Sequence, residues 1–174
     1  SLHYPQSASA TAVINKSATI TVDVNVTIKE LNYGGVTGIA LTLVAANATD
    51  CGLTGNLVVP TANSHVTLDG LTFVKPNNTW TATTDSIFEL RNGANFTMGS
   101  GIYFYSSADA KATLLLSGKS TMSVGWLYMS MHAFVEIDDS TLTQTGSYSV
   151  QLAFNEPGDT FMRFKGAAPK LVTS

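Results

Sequence analysis

Ile20-Thr21-Val22-Asp23-Val24-Asn25-Val26-Thr27-Ile28 alternates apolar and polar residues over nine consecutive positions. Side chains of an extended chain point to opposite faces in turn, so this period of two is the mark of a half-buried strand. An amphipathic helix would need its apolar residues three and four apart, and here they are not. The same alternation returns in shorter runs: Ile39-Leu41-Leu43, Val66-Leu68, Phe88-Leu90, Phe96-Met98, Met122-Val124, Leu127-Met129-Met131, Val135-Ile137 and Val150-Leu152-Phe154. Gly, Asn, Asp and Ser separate them, and no stretch of a dozen residues has helical spacing. Short strands punctuated in this way predict an all-β chain.

Five segments share one frame: an apolar strand, a polar or glycine-containing corner, then a second strand. They align on Leu68, Leu90, Leu116, Ile137 and Phe164, with steps of 22, 26, 21 and 27 residues. Such a band matches one coil of a β-solenoid, in which strand positions must stack while corner loops vary in length. The expectation is a single-stranded parallel β-helix of about seven coils. At about 4.8 Å per coil it would be a rod roughly 35 Å long. The chain is read as one domain, 1–174, with an irregular lead-in over 1–11. The alternative is an antiparallel sandwich or jelly roll. Two-residue hairpin turns are scarce, and Asn92-Gly93 is the main candidate for one.

Composition narrows the class. The 174 residues are 44% hydrophobic and only 12% charged, with a net charge of −3. Ser and Thr supply the polar surface, which suits the outer faces of strands. The only arginines are Arg91 and Arg163, so a nucleic acid partner is not expected. No apolar run is long enough to cross a membrane as a helix. The lone cysteine, Cys51, cannot form an internal disulfide and is expected to be buried.

The run ATITVDVNVTIKELNYGG, ending at Gly35, resembles the opening coils of bacterial autotransporter passenger domains and related surface-repeat proteins. The matching positions are Val26, Thr27, Ile28, Leu31, Gly34 and Gly35. LRNGANFTM (90–98) and LSGKSTMSVG (116–125) resemble generic coils of the same class. The resemblance implies a secreted or cell-surface location, with outer-membrane attachment through a region outside this chain. The chain opens at Ser1-Leu2-His3 and is expected to be part of a longer exported protein. These motifs encode the coil and imply no particular ligand.

Chemistry is sparse. Some β-helix proteins act on polysaccharides, and Asp138-Asp139 is the one paired carboxylate that could divide acid and base roles. Adjacent strand residues face opposite ways, however, and Asp favours corners, so a solvated corner is the reading adopted. The Gly-His-Gly and Arg-Ile-Lys elements of pectin-degrading hydrolases are absent. His3, His65 and His132 are scattered and have no metal-ligand spacing. No catalytic residue, metal or cofactor is assigned.

Aromatic residues offer more. Trp80, Tyr103, Tyr105, Trp126, Tyr128 and Phe134 stand among apolar alternations. If Ile102 and Phe104 point inward, Tyr103 and Tyr105 point outward. Tyr103, Tyr105, Trp126 and Tyr128 are therefore the candidate ligand-binding residues, able to stack on sugar rings or to anchor a protein. Thr-x-Thr ranks stand isolated at Thr19-Thr21 and Thr141-Thr143, so no regular hydroxyl array is expected. The function expected is that of a non-catalytic surface module, a stalk or adhesin. Its partners would be glycans or host or cell-surface proteins. Carbohydrate binding by the aromatic face and a polysaccharide-acting enzyme are the alternatives.

Overall fold

The computed structural model describes residues 7–47, 51–58, 60–76, 80–82, 85–105, 111–130, 132–147, 150–152 and 159–174; for 80–82 and 105 it describes the backbone alone. A short β1 (Thr11–Val13) leads in. The first turn is β2 (Ala18–Val22) and β3 (Val26–Asn32), the second β4 (Ala40–Ala45) and β5 (Gly52–Leu57). From the third turn a third strand joins: β6 (His65–Asp69), β7 (Thr72–Lys75) and β8 (Trp80–Ala82). The fourth is β9 (Ile87–Arg91), β10 (Asn95–Met98) and β11 (Ile102–Tyr105); the fifth is β12 (Thr113–Leu116), β13 (Thr121–Val124) and β14 (Leu127–Ser130). The sixth is β15 (Phe134–Asp138), β16 (Thr141–Gln144) and β17 (Val150–Leu152). β18 (Phe161–Lys165) and β19 (Lys170–Thr173) open a seventh.

Each strand pairs with its counterpart one turn away. Sheet 1 holds β2, β4, β6, β9, β12, β15 and β18; sheet 2 holds β1, β3, β5, β7, β10, β13, β16 and β19; sheet 3 holds β8, β11, β14 and β17. Every described pair is parallel. The fold is thus a parallel β-solenoid, and the antiparallel sandwich is excluded. Its complete turns number six, against the expected seven or so, because β18 and β19 only begin another.

The aligned positions fall in register. Ile20, Leu43, Leu68, Leu90, Leu116, Ile137 and Phe164 form one column of sheet 1. Leu53, Phe73, Phe96, Met122 and Leu142 form the facing column of sheet 2. Leu68, Leu90, Leu116, Ile137, Phe73, Phe96, Met122 and Leu142 are buried. Inside, the Phe96 ring meets Phe88 edge-on at 5.2 Å and Phe73 at 5.9 Å, separations usual for aromatic pairs. Cys51 is buried as expected.

Two expectations change. The stretch 20–28 is two strands, β2 and β3, with a corner between them. Val22 and Ile28 point inward, while Val24 sits at the corner and is 41% exposed. Alternation continues through a bend of suitable length, so the period alone does not reveal the corner. Asn92-Gly93 is likewise no hairpin. It joins β9 in sheet 1 to β10 in sheet 2, with φ of 56° and 78°. The same corner takes left-handed residues at Gly70, Gly118, Lys119, Asp139 and Gly166. At Gly118 an added Cβ would lie 2.8 Å from the Asn92 backbone nitrogen on the turn before, so glycine also permits the close stacking.

The outer faces differ in chemistry. Sheet 1 carries charged and polar side chains that pair from rung to rung: the His65 ring is hydrogen-bonded to Glu89 at 2.8 Å, and Arg91 is ion-paired with Asp69 at 2.9 Å and Arg163 and Lys165 with Glu136. On sheet 2 the charged side chains outside the core stand in β3 (Lys29, Glu30) and β19 (Lys170), with uncharged residues between. Thr72, Asn95, Thr121 and Thr141 stack in one column, and Thr54, Val74, Thr97, Ser123 and Thr143 in the next. Ladder pairing brings Thr141 and Thr143 into line with other hydroxyls, but Val74, Asn95, Lys170 and Val172 interrupt the columns, so no regular Thr-x-Thr array forms.

Two outcomes test this packing. The Tyr33 hydroxyl is buried with no hydrogen-bond partner among the described residues, and burial raises its pKa. Tyr33→Phe removes an unsatisfied group and should stabilise the fold by about 1 kcal/mol in urea unfolding. Burial raises the Glu136 carboxyl, but hydrogen bonds and charge from Arg163 and Lys165 outweigh it and hold the group below its ordinary value. A lowered folded-state pKa contributes stability above the unfolded value, and that stability is lost as pH falls through the folded value. Stability should therefore decline below about pH 4.5, the ordinary carboxylate value. Glu136→Gln should flatten that decline in acid-unfolding titrations.

Candidate functional site

Sheet 3 positions the aromatic residues. In β11, Ile102 and Phe104 are buried, which turns Tyr103 outward. In β14, Leu127 and Met129 are buried, which turns Tyr128 outward. The ladder places Tyr103 directly beside Tyr128 across the two turns. Their ring centroids are 5.2 Å apart at 60°. Trp126 joins them from the corner between sheets 2 and 3. It stacks on Tyr128 at 4.8 Å and 28° and meets Tyr103 edge-on at 4.5 Å. All three rings are half-exposed.

Gly101 makes room for this arrangement. It lies one turn below Trp126, with the Ile102 amide donating to the Trp126 carbonyl at 3.0 Å. The indole occupies the space a side chain at Gly101 would need. Of the four candidate residues, the fold thus brings together Tyr103, Trp126 and Tyr128. Tyr105 pairs with Ser130 through the backbone, and its side chain lies outside the described residues, as does that of Trp80. Phe134 stands apart on sheet 1, with Lys111 Nζ 5.4 Å and Arg163 Cζ 5.3 Å from its ring centre.

Sequence reasoning missed a neighbouring feature. Beside Tyr128 lies a cavity of about 400 Å³ lined also by Gln144, Ser147, Val150, Gln151, Thr173 and Ser174. Gln151 is the rung next to Tyr128. Gln144 ends β16 in an inward column that also holds Lys75, Met98 and Val124, and it is only 2% exposed. Its Nε2 donates to the carbonyls of Gly125 and Gly146, at 3.0 Å for the former. The signal was present: Gln144 and Lys75 are polar residues at inward positions of the alternation. Burial lowers the Lys75 pKa. A second cavity, about 260 Å³ and almost wholly apolar, opens at the first turn between Ile14, Val22, Val26 and Leu53.

The paired carboxylates have other work. Asp138 lies 3.5 Å from Lys165 Nζ. Asp139, at φ 45°, accepts the backbone amides of Ala167 and Ala168 from the following turn. The corner reading holds, with these contacts to the next rung added. His65 faces Glu89 on sheet 1, far along the chain from His132, and His3 lies outside the described residues. Among the described residues no three His, Cys, Asp or Glu side chains group as metal ligands. No described helix could cross a membrane.

Gly101→Val should displace the Trp126 ring while leaving the ladder paired. The expected outcome is a red shift of Trp fluorescence and loss of near-ultraviolet dichroism, with the far-ultraviolet β spectrum retained.

Comparison of the chain with family models, with curated proteins and with solved structures finds no match in any of the three.

Proposed function

We propose that this chain is a non-catalytic, adhesin-like module of an exported bacterial surface protein, and that the outer face of sheet 3 engages carbohydrate. One observation carries the reading: Tyr103, Trp126 and Tyr128 converge into a single half-exposed aromatic patch. Aromatic side chains combine a large apolar face with a polar edge, which suits the C–H faces and hydroxyls of a sugar ring. A solenoid holds such a patch rigidly, because Tyr103 and Tyr128 stand on strands paired on both sides and Trp126 is packed against both rings. Little rotamer and loop entropy then remains to be lost on binding.

The non-catalytic part of the reading is supported by the carboxylates. Asp138, Asp139 and Glu136 are each tied to the next turn. Export and surface display are supported by the resemblance of residues 12–35 to autotransporter passenger coils.

The test is a glycan-array screen with purified chain, run beside a reducing-sugar assay on the bound glycans. Binding without turnover is the expected result. Trp126→Ala and Tyr128→Ala should each weaken it roughly tenfold, about 1.4 kcal/mol. Turnover, or binding indifferent to both substitutions, would overturn the reading.

A further inference from the structure

We propose that the aromatic face of sheet 3 recognises a bent disaccharide unit of a gluco-configured glycan, with one pyranose ring on each of two aromatic planes. This rests on the reading of sheet 3 as a carbohydrate surface and adds the linkage class of the ligand. The two planes come from successive turns. Trp126 and Tyr128 are nearly parallel, at 28°, and form the first. Tyr103, one turn earlier on β11, forms the second, inclined at 60° to Tyr128 and at 65° to Trp126. All three rings are half-exposed.

The backbone holds this angle. Tyr103 and Tyr128 are ladder partners, so one rung of about 4.8 Å separates them. Their ring centroids are 5.2 Å apart. Strand β11 is paired to β8 and β14, and β14 to β11 and β17. The Trp126 indole lies across Gly101, on the Tyr103 rung, in the space that a side chain there would fill. The step between the planes is close to the length of one pyranose ring. Neighbouring sugars of one chain therefore fall on neighbouring planes.

The inclination selects the linkage. A sugar whose hydroxyls are all equatorial keeps axial C–H groups on both faces, and such a face stacks on an aromatic ring. In the flat ribbon of the cellobiose type, successive sugar faces stay in one plane. A ribbon lying on Trp126 and Tyr128 would meet Tyr103 at a steep angle and lose the second stack. In the maltose and laminaribiose types the linkage turns successive faces out of one plane, so each sugar can cover its own aromatic surface. Burial of the second apolar face adds to affinity.

Glucose and the disaccharides and tetrasaccharides of the maltose, laminaribiose and cellobiose series would be titrated into the purified chain. Binding would be followed by Trp fluorescence, beside the glycan array. The maltose or the laminaribiose series is expected to bind, its disaccharide roughly tenfold or more tighter than glucose and its tetrasaccharide roughly tenfold or more tighter than cellotetraose. Tyr103→Ala should reduce both preferences to about threefold or less with unchanged far-ultraviolet dichroism, and Tyr103→Phe should keep them. Four results overturn the linkage assignment and leave the sheet 3 reading standing: equal binding of cellotetraose, no gain from glucose to disaccharide, preferences that survive Tyr103→Ala, or failure of both bent series while Trp126 and Tyr128 hold other glycans on the array. If the array retains no glycan at all, both fall.

Discussion

The parallel backbone ladder between successive turns governs everything else in this molecule. A strand in a solenoid has no partner within its own turn, so its amides and carbonyls must be satisfied by the turns on either side. This ties each residue to one counterpart a turn away, and like must stack on like. Leu68, Leu90 and Leu116 share a column, and a one-residue slip of the register would send them to solvent. The corners obey the same constraint. Left-handed residues recur between sheets 1 and 2 because each corner must lie on the one before it.

Once the ladder is set, the outer faces become lists of neighbours that the chain order does not place together. On sheet 1 the result is a set of polar pairs: Glu89 hydrogen-bonded to His65, and ion pairs of Asp69 with Arg91 and of Glu136 with Arg163 and Lys165. On sheet 2 it is two columns rich in threonine. On sheet 3 it is a knot of aromatic rings. Each face has its own chemistry on one common backbone, which is how a repetitive fold can carry a specific surface. The aromatic knot also depends on Gly101, whose missing side chain leaves room for the Trp126 indole.

The interior departs from its apolar rule in one inward column of sheet 2. Lys75 and Gln144 occupy the same inward column as Met98 and Val124. Burying a polar group is costly unless it is hydrogen-bonded. For Gln144 the Gly125 and Gly146 carbonyls at the corner between sheets 2 and 3 supply those bonds. The same bonds hold the amide in one orientation beside Tyr128. A local solution to a burial problem thus becomes a structured wall for the cavity.

Period-two alternation, the 21- to 27-residue step and the corner residues were enough to determine, from sequence alone, strands, coil and inward columns. Inward positions are apolar in nearly every turn, so their pattern survives in one dimension. The outward turning of Tyr103 could be read in the same way, from Ile102 and Phe104 beside it. Its meeting with Trp126 and Tyr128 could not. Trp126 lies in a corner outside any alternation, and Tyr128 is 25 residues from Tyr103, a distance set by loop length and ladder register together. The break within residues 20–28, the threonine columns and the cavity at Gln144 were equally hidden. Outward neighbours face no requirement of apolarity, so only the stacked structure decides which of them meet.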